Sequence, residues 1–181
     1  RQRDFEYEAD HNQGRWVIHT NWDAKNFRLM TLADGKPWGD RGQWNALVPH
    51  SPDVFIGGFA LLDGVVAISE RSGGLQRLRL RHDADGREQF VAADESAYSM
   101  NLSSNPEPGS EWLRYTYTSL TTPATTYEVN VRTNERRLLK EQPVLGGFDR
   151  ANYVTERLWA TARDGTRVPV SVLYRKGFRK D

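Results

Sequence analysis

Short alternating runs closed by glycine-bearing turns constrain this chain more than any other feature. Residues 54–62, 65–71, 75–81 and 87–92 read as strands, and they are separated by Asp63-Gly64, Ser72-Gly73-Gly74 and Asp83-Ala84-Asp85-Gly86. Each separator holds a glycine available for the positive φ of a tight hairpin turn. The block is therefore expected to be one four-stranded antiparallel sheet.

The same plan stands on either side of it. Upstream, runs at 5–9, 15–20, 27–32 and 44–48 are divided by His11-Asn12-Gln13-Gly14, by the turn-tolerant stretch Asn21 to Asn26, and by a loop from Asp34-Gly35 through Pro37, Gly39 and Gly42. Downstream, runs at 97–102, 112–118, 125–131 and 136–141 are joined through Pro106 and Pro108, through Ser119 to Pro123, and through Thr133-Asn134. Aromatic residues at comparable places, Tyr7, Phe55 and Tyr98, recur about every 45 residues, the period of propeller blades. No segment carries a sustained helical stripe. The expected fold is all-β: about three antiparallel four-stranded blades of an incomplete β-propeller over residues 1–148 (blades near 5–48, 54–92 and 97–141), followed by a β-hairpin. That hairpin falls in 152–177, around Asp164-Gly165, within a crossover segment at 149–181.

Composition agrees with many half-buried strands. Hydrophobic residues make up only 38% of the 181, yet aromatics reach 11%, so inward-facing positions are few but large. A net charge of +1 argues against a nucleic-acid partner, which needs a strong positive field. The absence of cysteine removes disulfides, thiolate metal sites and a Cys nucleophile. No apolar run is long enough for a membrane helix, and Arg1-Gln2-Arg3-Asp4 is no signal-peptide core. With Arg at its start and a basic tail at its end, the chain is expected to be an excised piece. Three blades do not close a ring, so both terminal blades are expected to expose apolar faces and unpaired edges, and the piece to self-associate.

Several strings, taken in order, resemble the prolyl oligopeptidase group of serine peptidases and within it oligopeptidase B. They are Asp4 to His11; Ser104-Asn105-Pro106-Glu107 followed by Leu113-Arg114-Tyr115; Ser119-Leu120-Thr121-Thr122-Pro123 before Tyr127; and Gln142-Pro143-Val144-Leu145-Gly146-Gly147. The strongest is Arg163-Asp164-Gly165-Thr166-Arg167-Val168-Pro169-Val170. The resemblance implies a cytoplasmic two-domain enzyme that cleaves short peptides after Lys or Arg. In it an α/β-hydrolase domain carries a Ser, Asp, His triad, and the propeller gates substrate access. On that reading the partners of this chain are the peptidase domain of the same parent and, in the parent, short basic peptides. No catalytic residue is assigned here, because no Gly-x-Ser-x-Gly elbow occurs. Cofactor and metal sites are likewise expected to be none.

Other residues invite sharper readings. His11, His19, His50 and His82 have no metal-ligand spacing. Arg77, Arg79 and Arg81 alternate with Leu78 and Leu80, which reads as an anion site or, more economically, as a solvated blade surface. Glu6 and Glu8 share a strand face as paired carboxylates or as plain polar decoration. The tail Arg175-Lys176-Gly177-Phe178-Arg179-Lys180 is basic enough for a nucleic-acid contact, though truncation accounts for it better. Trp16, Trp22, Trp38, Trp44, Trp112 and Trp159 read as core and inter-blade packing or as a stacking surface for a ligand. The alternative to the peptidase reading is a self-contained β-rich ligand- or protein-binding module that uses those aromatics and arginines.

Overall fold

The computed structural model describes residues 3–179. Twelve strands form three consecutive four-strand units, and a hairpin follows. Blade 1 is β1 (Tyr7–Asn12), β2 (Arg15–Thr20), β3 (Arg28–Ala33) and β4 (Asn45–Val48), antiparallel in chain order. Blade 2 is β5 (Val54–Leu62), β6 (Val65–Ser72), β7 (Leu75–His82) and the short β8 (Glu88–Phe90). Blade 3 is β9 (Tyr98–Leu102), β10 (Trp112–Ser119), β11 (Thr125–Asn130) and β12 (Arg136–Glu141). The last two strands, β13 (Tyr153–Thr161) and β14 (Arg167–Arg175), pair only with each other. Two single 3-10 turns, Arg41–Gln43 and Arg150–Asn152, are the helical content of the described residues, and no described helix is long and apolar enough to cross a membrane.

Blades 2 and 3 are not separate sheets. A single parallel bridge, Gln76 to Ser99, joins β7 to β9, so the two blades form one folded eight-stranded sheet. The short β8 makes this possible: it pairs only with Arg79 to Arg81 and leaves the other half of β7 free for β9.

The core explains the order. β6 reads Val65-Val66-Ala67-Ile68-Ser69-Glu70, and all six are buried, because alternate residues point at opposite neighbours. Val66 and Ile68, with Ile56 and Leu61, pack on Val17, Leu29 and Val48 of blade 1. Val65 and Ala67, with Leu62, Leu78 and Leu80, pack on Met100, Leu113, Tyr115 and Val129 of blade 3. Each large aliphatic side chain so buried stabilises the stack by about 1.5–3 kcal/mol.

Turns lace the blades at both ends. Asn12 Nδ2 donates to Asp63 Oδ1 (3.1 Å), the Gly64 amide donates to Gln13 Oε1 (3.3 Å), and the Asp63 amide donates to the Pro108 carbonyl (2.7 Å). Arg15 and Asp83 close the same end with a 2.6 Å ion pair. At the other end Asn26 Nδ2 donates to the Ser51 and Pro52 carbonyls. A hydrogen-bonded rim around an apolar centre makes the three blades one rigid wall.

The terminal faces correct the expectation of two apolar surfaces. The outer face of blade 1 is apolar, with Ile18, Met30 and Leu32, but its own loops cover it: Phe5, Trp22 and Trp44 pack there, and Trp22 meets Trp44 edge-on at 5.8 Å. The outer face of blade 3 is polar. Leu113, Tyr115 and Tyr117 point into the core, so Arg114, Thr116 and Thr118 point away, opposite Glu128 and Thr126 of β11. Exposed apolar side chains lie instead on the edge strand β12 (Leu138 and Leu139), on the segment after it (Val144 and Leu145) and on the hairpin, where Leu158, Val168, Val170 and Leu173 are each more than a third exposed.

Candidate functional site

Among the described residues, two of the places that bring chemistry-bearing side chains together lie between blades 1 and 2 and where the hairpin meets blade 3. The first is the arginine row of β7. A hairpin turning at Gly73 and Gly74 sets Glu70 opposite Arg77. Glu70 Oε1 accepts from Arg77 Nε (2.8 Å) and Nη2 (2.7 Å), while Oε2 lies 2.8 Å from Arg79 Nη2. Glu88 of β8 extends the row: its Oε2 accepts from Arg79 Nη1 (2.9 Å) and its Oε1 from Arg81 Nη1 (3.0 Å). Burial would raise the Glu88 carboxyl, but the hydrogen bonds and charges of Arg79 and Arg81 override it and hold the pKa below its ordinary value. Arg77 stacks on Phe90 at 4.2 Å. Beside them Val48, His50 and Ile56 complete a cleft of about 230 Å³. The Glu70 side chain is 1% exposed and that of Arg79 14%. The three arginines are thus a half-buried ion-pair ladder, with Arg77 and Arg79 lining the inter-blade cleft, and not a solvated surface.

The second place lies where the hairpin meets blade 3, a groove of about 490 Å³ lined by Asp94, Glu95, Thr121, Arg136, Arg150 and Tyr153. Glu95 accepts from Tyr117 Oη (3.0 Å), Thr122 Oγ1 (2.8 Å) and Thr121 Oγ1. Desolvation opposes its charge, yet this hydroxyl cradle, with Ser119, keeps the pKa below the usual carboxylate value. The Tyr117 phenol is pushed up in turn, first by desolvation and then by the carboxylate it donates to. Arg136 forks onto Asp94 (2.8 and 3.1 Å) and covers the Tyr127 ring.

On the opposite side of the groove stands the hairpin. Its register places Thr155, Arg157 and Trp159 on one face, opposite Leu173, Ser171 and Pro169. That face sits on the β6–β7 turn, where Trp159 reaches Gly73 and Pro169 reaches Gly74. The other face carries Leu158, Ala160, Val168 and Val170.

The remaining predicted residues are dispersed. His11 Nε2 is 2.8 Å from Asp34 Oδ1, and His50 lines the first cleft. His19 is buried, with Nε2 2.9 Å from the Ile56 carbonyl oxygen, Nδ1 3.4 Å from Glu8, and its ring stacked on Phe27. Glu8 therefore has a histidine partner, while Glu6 precedes β1 and uses its backbone carbonyl to accept from Thr20 Oγ1. Ser119 Oγ accepts the Thr121 and Thr122 amides, which makes it a turn former. Trp16, Trp22, Trp38 and Trp44 share one aromatic cluster on blade 1; Trp112 lies under Arg137 and Trp159 beside Arg157. Of the basic tail, Lys180 lies outside the described residues. Glu70 and Glu95 were not singled out from sequence. For Glu70 a signal existed, its equal distance with Arg77 from the glycine turn.

His82 carries a pH effect. Its Nε2 is buried without a hydrogen-bond partner. Desolvation, then the Arg87 charge, lowers its pKa below 6.5, with Arg132 adding to this while Asp85 and Asp83 oppose it. The unfolded chain then takes up the proton first as pH falls, so this contribution to stability is full above about pH 6.5 and declines below it. The urea midpoint is expected to drop between about pH 7.5 and 5.5, and His82→Gln to flatten that slope. A variant with the wild-type slope would assign the effect to another group.

Comparison with known proteins places these features. The model of the prolyl oligopeptidase N-terminal β-propeller domain matches residues 1–142. Dipeptidyl aminopeptidase BI of Pseudoxanthomonas mexicana is 54% identical over 183 residues, covering 100% of this chain and 25% of that protein. Protease 2 of Moraxella lacunata is 30% identical over 94% of this chain and 24% of its own length. Among solved structures, oligopeptidase B from Trypanosoma brucei with covalently bound antipain, in a closed form, superposes with a TM-score of 0.81 at 29% identity, over 98% of this chain and 26% of that one. Oligopeptidase B from Leishmania major gives 0.81 at 32% identity, over 97% and 26%. The chain spans about a quarter of the length of these relatives. With its open stack of blades and the family match over most of its length, this chain belongs to the prolyl oligopeptidase family, and its residues 1–142 match the N-terminal β-propeller domain of such peptidases.

Proposed function

We propose that this chain is the access-controlling wall of a serine oligopeptidase whose α/β-hydrolase domain supplies the triad, and that the parent cleaves short peptides after Lys or Arg. The carrying observation is the two-sided hairpin: one face is seated on the propeller, while Leu158, Val168 and Val170 on the other are uncovered and apolar. An apolar sheet face of this kind needs a second layer, and the hydrolase domain of the same polypeptide is the proposed occupant. The laced, doubly packed blades suit a rigid baffle that excludes folded substrates. In this proposal residues 1–148 belong to the propeller and 149–181 to the crossover, the parent works in the cytoplasm, and the 181-residue piece self-associates through the uncovered hairpin face.

The 54% identity to a dipeptidyl aminopeptidase favours a second reading, removal of dipeptides from free N-termini. One assay separates the two. The full-length protein is given an Arg-containing hexapeptide with a free amine and the same peptide acetylated. Cleavage of both after Arg is the expected result. Cleavage of the free peptide alone, two residues in, establishes the second reading. Turnover by the 181-residue chain alone would overturn the assignment of chemistry to the hydrolase domain.

A further inference from the structure

The arginine ladder of β7 is one carboxylate short. Arg77, Arg79 and Arg81 share Glu70 and Glu88 between them. Arg77 and Arg79 line the cleft between blades 1 and 2, and Glu70 is the carboxylate that lines it with them. Arg77 gives Nε and Nη2 to Glu70 Oε1, which uses one edge of the planar guanidinium, and lays its face on Phe90 at 4.2 Å. Nη1 has no partner among the described residues, so the Nη1–Nη2 edge remains open to an acceptor. Buried Arg79 Nε likewise finds no acceptor. His50, on the exposed link from β4 to β5, stands at the same cleft. Much of the remaining lining is apolar: Val48 and Ile56 are buried, and Phe90 is 50% exposed. All of these groups come from two blades that pack directly on each other.

We propose that this cleft binds a monoanionic carboxylate attached to a small apolar group, either a free acylated aliphatic amino acid or the C-terminal residue of a peptide. Arg77 receives the carboxylate through its Nη1–Nη2 edge, in the planar two-point contact that guanidinium and carboxylate make, and Val48, Ile56 and Phe90 take the apolar body. The charge balance selects a monoanion. Arg77 and Arg79 against Glu70 leave a surplus of one positive charge, so a dianionic phosphate would bring an unneutralised charge close to the glutamates. Volume selects the size: about 230 Å³ lies below the roughly 300–1,000 Å³ of sites for drug-sized ligands and suits a group of about one residue. The apolar wall favours such a ligand over acetate, because each further buried methylene adds to affinity. None of these groups belongs to the proposed hydrolase chemistry, so binding here is independent of the substrate reading.

Photolabelling of the full-length protein with N-acetyl-photoleucine, the diazirine analogue of N-acetyl-leucine, tests this, with the label located by mass spectrometry. Label is expected within residues 48–56 or on Phe90, displaced by excess N-acetyl-leucine but not by N-acetyl-leucinamide or inorganic phosphate at the same concentration. Arg77→Gln is expected to lower that labelling at least roughly fivefold, because a charge-assisted contact is lost. Arg77→Lys, which keeps the charge but not the fork, serves if the first variant does not fold, and is also expected to label less than wild type. A hexapeptide without Lys or Arg that ends in leucine, and its C-terminal amide, separate the two sources. Displacement by the acid and not by the amide means that the site takes a chain terminus; displacement by N-acetyl-leucine alone restricts it to free carboxylates, and either supports the proposal. Displacement by the leucinamide or by phosphate as strong as by N-acetyl-leucine, label only outside the cleft, or labelling unchanged by the Arg77 substitutions overturns it. Labelling needs no turnover, so failure of the peptide assay with the cleft still labelled would strike the substrate reading alone.

Discussion

Glu70→Ala is expected to lower folding stability by about 3 kcal/mol. The carboxylate is 1% exposed and binds two guanidiniums. Removing one member of a buried ion pair strands the other, which costs about 3–5 kcal/mol. Here the lower bound applies. Arg79 keeps Glu88, and Arg77 is 30% exposed and still rests on Phe90. Glu70→Gln retains shape and one acceptor, so a loss of about 1–2 kcal/mol is expected for it. Urea unfolding with a shared slope measures both. A loss below about 1 kcal/mol for Glu70→Ala would show that the row behaves as a surface charge array.

That ladder also shows where sequence reasoning reached and where it stopped. The glycine turns predicted the strands because a tight hairpin leaves little freedom: Ser72 pairs with Leu75, Arg71 with Gln76 and Glu70 with Arg77. The same arithmetic puts Glu70 among the arginines, so the buried carboxylate was legible once the register was counted. Glu128 was legible only in part: Arg137 faces it across the Thr133-Asn134 turn, ahead of the register shift between Thr126 and Tyr127, whereas its other partner, Arg114, lies across the longer loop from Ser119 to Pro123. Alternation in β10 marks Arg114, Thr116 and Thr118 as one face, but periodicity alone does not tell which face turns inward. The strand expected over 87–92 illustrates a further limit. Phe90 ends β8, and the Val91 amide donates to the Leu78 carbonyl (3.0 Å) as the chain leaves to cross toward blade 3. Local propensity carries no sign of that exit.

Gly74→Val should release the hairpin from the propeller. Gly74 has φ +83°, a conformation that a β-branched residue adopts only with strain of about 1–3 kcal/mol. Space is the greater obstacle. A Cβ there would stand 2.6 Å from Pro169 Cγ and 3.4 Å from Arg157 Nη2. Pro169 is ring-closed and held opposite Trp159 by the strand register, so it does not swing aside. Relief must come from β13 and β14 lifting away together. The blade core does not depend on that contact: Leu78, Leu80 and their partners lie in a separate cluster. The expected result is therefore local. Amides of residues 153–175 should exchange at least roughly tenfold faster, while those of β6 and β10 lose only the turn strain. Gly73→Ala offers a graded control. Its Cβ would meet Trp159 at an ordinary 3.7 Å, so it carries the positive-φ cost without the collision. Equal loosening by both variants would trace the effect to turn strain; loosening by Gly74→Val alone assigns it to the seat that Pro169 occupies. If the full-length protein with Gly74→Val also loses the proposed peptide turnover while its propeller stays folded, the Gly74–Pro169 contact is what couples the propeller to the proposed hydrolase domain.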